Sequence, residues 1–386
     1  MKKVLMVIAG ILFLTSWMSP LSMAEERKVS EYQNAVENGL KNNRSLQKLE
    51  LDKENARIQY EQAVKDAADI QIDGITVSFG GQQKFISFND YTKVQMRKKK
   101  ELYPSQMKMM LDLADDRILT TKNSLTVSLR QLLGLLFIQQ KEIKIKERRL
   151  QLAYQIDQQN AVKLQKGIIT QEEKDDSAYS YYQAMKDAGT AKRTVTGTER
   201  QISSITGMDL KTTYSDVNLS ENLDKTRLKD LNTYIAAALK NRLEIKSIEQ
   251  QLELKNIQKG YLEDKDLYLK DDSAAQEYIS LLSDIENTNI QLNKQQKEVE
   301  IGIKNAYATV NKAYNDVSKT VNARKLLSSN YNTLLARYKA GYVSKNMVDQ
   351  VKIDLDEMDL NYKVAVFNWN TQVQKLENAA GIGPAF

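Results

Sequence analysis

Proline placement constrains this chain more than any other feature. Its 386 residues contain only three prolines, Pro20, Pro104 and Pro384, so Ser105–Gly383 runs 279 residues (383 − 105 + 1) without one. Proline breaks helix interiors at a cost of about 3 kcal/mol, and a stretch this long without it, in a chain that is 27% charged, predicts long helices. There is no histidine and no cysteine. That excludes zinc and haem sites built on those residues, thiol nucleophiles, disulfides and Ser-His-Asp chemistry.

The first 24 residues read as a secretory signal rather than as fold. Lys2 and Lys3 precede an apolar run from Val4 to Leu14, and Ser22-Met23-Ala24 forms a small-residue cleavage site before Glu25. The apolar run is too short for the roughly 20 residues of a spanning helix. An exported chain with a mild basic excess spread among mixed charges predicts a solvated surface and no nucleic-acid partner.

The chain repeats itself. Leu164-Gln165-Lys166-Gly167-Ile168-Ile169-Thr170 matches Tyr338-Lys339-Ala340-Gly341-Tyr342-Val343-Ser344 at an offset of 174 (341 − 167). Each has a glycine, two apolar residues, then a hydroxyl residue able to cap a new helix. Gly207 and Gly381 repeat at the same offset and read as helix C-caps. Upstream, Gly39–Leu46 echoes Ala238–Ile245, with Asn43 set against Asn241 at an offset of 198 (241 − 43). The change in offset predicts about 24 extra residues in the first half by this alignment. Residues 70–91 are their natural place, because Ile75, Val77, Phe79, a Gly80-Gly81 turn and Phe85-Ile86-Ser87-Phe88 alternate as a β-hairpin does. The counterpart, Lys259–Asp272, is charged and shows no strand pattern. The expected division is signal peptide 1–24, first helical repeat 25–210 and second helical repeat 211–386.

Helix lengths follow the punctuation. Pro104-Ser105 is expected to open a helix ending near Lys166, with Leu111, Ile118, Leu125 and Leu132, and again Leu129, Leu136, Ile143 and Leu150, at coiled-coil spacing. Its counterpart is Ser273–Lys339. Shorter helices are expected at Thr170–Thr206, Ser344–Ala380, Ala35–Ala68 and Leu231–Lys265. At about 1.5 Å per residue, two short helices end to end equal one long one. Each half therefore reads as one long helix lined by two short ones. In the last helix Met347, Val351, Leu355, Met358, Tyr362, Val366, Trp369, Val373 and Leu376 form a buried stripe, which makes Trp369 core rather than ligand site.

This arrangement resembles the TolC-type outer-membrane efflux family over nearly the whole mature chain. The most specific local motif is Arg337-Tyr338-Lys339-Ala340-Gly341-Tyr342-Val343-Ser344, which is similar to that family's Arg-x-x-x-Gly-x-x-Ser turn; the Gly381-Ile382-Gly383 ending is also similar. The resemblance implies an all-α protomer of long antiparallel coiled-coil hairpins from two tandem homologous halves, an α-barrel protomer with at most one short β-hairpin. It further implies a homotrimer forming a solute duct. That duct would dock on a periplasmic adaptor (membrane fusion) protein that serves an inner-membrane or ABC-type pump. The docking tips would be Gly167, Ile168, Ile169 and Thr170 with Arg337, Gly341, Tyr342, Val343 and Ser344. Pore-tip acids six and nine residues past the turn glycine would be Glu173 and Asp176; the second half has Met347 and Gln350 there. The competing reading is that Ile168, Ile169, Tyr342 and Val343 only staple their own helix ends, and that the acids only favour a helix start.

Family members contribute strands from both halves to a shared barrel, whereas three single hairpins would supply six strands, below the eight of the smallest usual outer-membrane barrel. The expected location is therefore extracytoplasmic, in the cell envelope without membrane insertion. Carboxylate pairs such as Asp115-Asp116, Asp175-Asp176 and Asp271-Asp272 lack any pocket-forming context. No enzyme activity, cofactor or metal site is expected. The alternative of a different class is a non-conducting coiled-coil scaffold or stalk.

Overall fold

The computed structural model describes residues 36–206 and 223–383. The expected signal segment, the Gly207 cap and the repeat boundary at 210 and 211 lie outside the described residues. Helical residues 36–42 lead into α1 (Arg44–Ala68), the β1 (Gly74–Phe79) and β2 (Gln82–Ser87) hairpin and α2 (Asp90–Arg97). A π-helical turn, Lys98–Leu102, joins α2 to α3 (Tyr103–Gln165), and α4 (Gln171–Thr206) follows. The second stretch holds α5 (Leu231–Asn241), α6 (Leu243–Glu263), α7 (Leu267–Lys270), α8 (Asp272–Lys339) and α9 (Lys345–Ala380). The two long helices have 63 and 68 residues, about 95 and 102 Å.

Each long helix is lined by two shorter elements, as expected. α3 packs along α4 towards one end and α1 towards the other, α8 does the same with α9 and with α5 and α6, and α3 against α9 joins the halves. At the level of the turns the order is α4, α3, α9, α8, a single layer with a free edge on each side. Because α3 is flanked twice, it needs two apolar stripes. Ile118, Leu129 and Leu136 are buried as expected, but so are Val127, Leu133 and Phe137, which the heptad series omitted. In α9 the expected stripe is buried or half-buried except Met347, which is exposed, and a second stripe of Ile353, Leu360 and Phe367 meets α3 and its surroundings. Trp369 is core, 1% exposed.

Two expectations need correction. Pro104 does not open its helix. Asn89 caps α2, accepting from the Thr92 amide at 2.7 Å, and the helix runs on through the π turn, where Tyr103 N–H donates to Lys98 O. Widening the turn just before Pro104 removes the need for the hydrogen bond that proline cannot make. Next, the helices expected at Ala35–Ala68 and Leu231–Lys265 are each broken. Asn43 turns extended and its side chain caps Ser45 and Leu46, and Arg242 is extended at the matching place. The breaks align Asn43 with Arg242, so the true offset is 199 and the pairing of Asn43 with Asn241 was one residue out. Gly381 caps α9 as expected, at φ −85°, while Gly383, at φ +115°, adopts the left-handed backbone.

The breaks serve the ends of other helices. Asn42 Nδ2 donates to Thr206 O at 2.8 Å, and the buried Arg242 guanidinium donates to Ala379 O at 3.3 Å and to Glu244. A cation at a helix C-terminus satisfies free carbonyls and complements the dipole.

The hairpin forms where expected. Gly80 and Gly81 take positive φ, the two-residue turn that matches strand twist. The register pairs Ile75 with Ile86, Val77 with Lys84 and Phe79 with Gln82. The counterpart in the second half is a 3-10 turn, Asp264–Asp266, followed by α7. Around the hairpin base, Glu277 on α8 accepts from Tyr91 Oη (3.2 Å), Gln95 Nε2 (3.0 Å), Gln258 Nε2 (2.7 Å) and Lys98 Nζ. Burial alone would raise the Glu277 carboxyl, but the bonds and charge from Lys98 and the bond from Gln258 outweigh it and hold the group below its usual range. Val94, Leu102, Tyr261, Leu262 and Leu267 pack beside this network.

Candidate functional site: the paired helix turns

The two turns are the same structure built twice. At the first, Gly167 N–H donates to Leu164 O and Ile168 N–H to Lys163 O, both at 2.9 Å. At the second, Gly341 N–H donates to Tyr338 O and Tyr342 N–H to Arg337 O, again at 2.9 Å. Two such bonds around a left-handed residue define the Schellman ending. Gly167 and Gly341 stand at φ +68° and +79° with nothing within 4 Å of where a Cβ would sit. Conformation, not space, requires glycine there.

In each turn the two apolar residues have different surroundings. Ile168 is 64% exposed and Tyr342 82%, whereas Ile169 and Val343 are half-buried. The second residue of each pair therefore fits the stapling role, and the first projects into solvent. Thr170 and Glu173 make a capping box, with Glu173 N–H donating to Thr170 Oγ1 at 3.2 Å and Thr170 N–H donating to Glu173 Oε2 at 2.8 Å. The Glu173 carboxylate thus closes its own helix start, while Asp176 is simply exposed. Ser344 sits at the N-cap position of α9 without a side-chain cap bond, and Arg337 is exposed in the last turn of α8.

Polar ties that sequence reading missed hold the turns side by side. Asn346 Nδ2 donates to Gln159 Oε1 at 2.7 Å across the α3–α9 seam. Further along it, Arg149 pairs with Asp354 (2.8 Å) and Glu357, and Arg148 pairs with Asp356. Within the first hairpin, Asp157 accepts from Lys174 Nζ at 2.7 Å and Ser177 Oγ at 3.1 Å. The Lys174 bond, against the opposing effect of burial and with help from Ser177, keeps the Asp157 carboxyl below its usual range. The signal available in sequence was a pair of arginines before Gly167 and three acids at similar distance beyond Gly341.

Among the described residues no helix is long and apolar enough to cross a membrane. No family model matches the chain, and no curated protein matches it significantly. Solved structures do. A membrane protein from Pseudomonas aeruginosa aligns with a TM-score of 0.65 at 12% identity, covering 91% of this chain and 92% of that one. The outer membrane protein VceC from Vibrio cholerae aligns at 0.59 and 12% identity over 92% and 97%, and the Campylobacter jejuni CmeC outer membrane channel at 0.59 and 13% over 91% and 85%. The chain has the fold of these outer-membrane channels, a TolC-like arrangement of long helices, with a single two-stranded sheet among its described residues.

Proposed function

We propose that this protein is the duct subunit of an export assembly, three copies closing a hollow helical conduit through which a partner pump drives solutes. The observation that carries this reading is the pair of unlike free edges. On α8, Ile279, Ile290, Ile301 and Leu326 are all exposed. The first three stand two residues from the buried Leu281, Thr288 and Val299, and Leu326 nine from Val317, which is about half a turn round from the packed face. On the other edge Tyr179 and Tyr182 of α4 face away from the buried Ser177, and Leu51 and Ile58 of α1 lie far round from Leu46 and Ala63. Tyr182 and Leu326 each stand fifteen residues from their turn glycine (182 − 167 and 341 − 326). Two different apolar edges on one layer favour head-to-tail association, which closes a ring when the curvature suits.

The exposed Ile168 and Tyr342 suit a small hydrophobic contact with the helical hairpin of a periplasmic adaptor (membrane fusion) protein, itself serving an inner-membrane or ABC-type pump. Around them Gly167, Ile169, Thr170, Arg337, Gly341, Val343 and Ser344 shape the docking tips, and Asp176 is the acid left free to face the opening. No reaction is assigned to the chain. It would act in the envelope outside the cytoplasm, carried there by the signal at 1–24. The test is light scattering on the exported chain without detergent, combined with end-on electron microscopy. A mass of three protomers with an axial hole is expected; a monomer, or a solid bundle, would favour the scaffold instead.

A further inference from the structure

The β1–β2 hairpin is sparsely charged in a chain that is 27% charged. Between Asp73 and Asp90 the only ionisable side chain is Lys84. The register puts Ile75, Val77, Phe79, Gln82, Lys84 and Ile86 on one face. Phe79 is 71% exposed, Ile75 and Ile86 are exposed too, and no described element covers them. The opposite face has its own explanation. The Phe85 ring lies over Gly74, whose Cβ would stand 2.7 Å from Phe85 Cζ, an aromatic filling the gap a strand glycine leaves. The hairpin is also firmly held. Phe88 N–H donates to Asp73 O at 2.9 Å, Lys100 Nζ to Ile70 O at 2.8 Å, and the Glu277 network lies beneath.

The geometry points to an anionic lipid surface as the partner of this face. Six-residue strands reach about 20 Å, and a spanning strand needs roughly 9–11 residues, so the hairpin touches a bilayer without crossing it. Both outer strand edges lack partners among the described residues, and such backbone groups must stay where water or headgroups reach them. The apolar face then rests at the headgroup boundary, with Lys84 extending its stem along it and its ammonium to lipid phosphate. Closure of three hairpins on one another is disfavoured by the same residue. Lys84 lies beside Val77 on the apolar face, so convergence would bring three ammonium groups into one apolar contact. The strength of attachment rests on the three-copy reading, since one hairpin binds weakly and three on one rim bind together.

The test is co-sedimentation of the exported chain, its processed N-terminus checked by mass, with phosphatidylcholine vesicles containing or lacking phosphatidylglycerol, light scattering being run in parallel. The wild type is expected to sediment with the anionic vesicles in a salt-sensitive manner. The Ile75→Ser, Phe79→Ser double variant should lose binding by about tenfold or more at unchanged mass and helix content. Lys84→Glu should abolish the preference for anionic lipid. A trimer that stays in solution, or a double variant that binds as well as wild type, overturns the proposal. The chain has no cysteine of its own, so Phe79→Cys offers a further arm: rapid disulfide linkage between copies without vesicles would give the face to other copies and equally overturn it. A wild-type monomer would sink the ring reading, while loss of vesicle binding in the double variant would still uphold the hairpin's.

Discussion

The ring of Phe367 on α9 lies directly against the backbone of Gly134 on α3. A Cβ built on the glycine would stand 2.2 Å from Phe367 Cζ and 2.7 Å from both flanking ring carbons. Both residues are buried, and the contact lies on the α3–α9 seam that joins the two halves. The ring occupies the space that any side chain at residue 134 would need.

Gly134→Ala is therefore expected to destabilise despite the better helix propensity of alanine. Overpacking costs about 1–3 kcal/mol, against a propensity gain of about 1. Thermal unfolding checks it, and adding Phe367→Leu to the alanine variant should recover much of the loss.

Glu277 gives the hairpin base an acid limit. Its carboxyl is held below the ordinary 4.5, so its contribution is complete above that value and is lost as pH falls through the lower folded value. Glu277→Gln leaves Lys98, 14% exposed at its side chain, without its carboxylate. A loss of about 2 kcal/mol is expected at neutral pH, less than for a fully dry pair because water reaches the site. Urea midpoints of wild type and variant should converge as the pH is lowered below 4.5.

At the turns, backbone and surface separate cleanly. Gly341→Ala forces a left-handed alanine and should cost about 1 kcal/mol. Tyr342→Asp touches a side chain that is almost wholly exposed, so the melting temperature should hold while capture of an adaptor hairpin fails. Equal capture by Tyr342→Asp and wild type would leave the turns as structure only.

Leu326→Lys and Ile290→Lys test the free edge of α8. Both side chains are mostly exposed in the protomer, so secondary structure should survive, but light scattering should show the assembly shifted towards single copies.

The long helices, both turns and the hairpin were legible because each depends on local signals: proline spacing, glycines at repeated offsets, and alternation around Gly80-Gly81. What escaped was set by distant partners. Nothing local marks Arg242 as a break, since its extended backbone is fixed by the end of α9 and by Leu243 N–H donating to Ile382 O. Pro104 misled because a π turn absorbs it. Likewise Ile353, Leu360 and Phe367 lie off the main stripe of α9, and a single periodicity cannot report that a helix has two neighbours. At the candidate site the turn residues were found, but the Thr170–Glu173 reciprocal cap gives Glu173 a local task that its position relative to the glycine did not indicate.

The Asp157, Lys174 and Ser177 cluster makes the two turns chemically unlike beneath an identical backbone. At the offset of 174, the second hairpin has Tyr331, Val348 and Val351 in those places. At this level the first hairpin is tied by charge, whereas the second carries aromatic and apolar side chains at the matching places. Salt and acid weaken this tie in the first hairpin, and Tyr331, Val348 and Val351 offer no matching ion pair to lose. A change in pH or salt thus reaches one turn through a contact that the other does not contain.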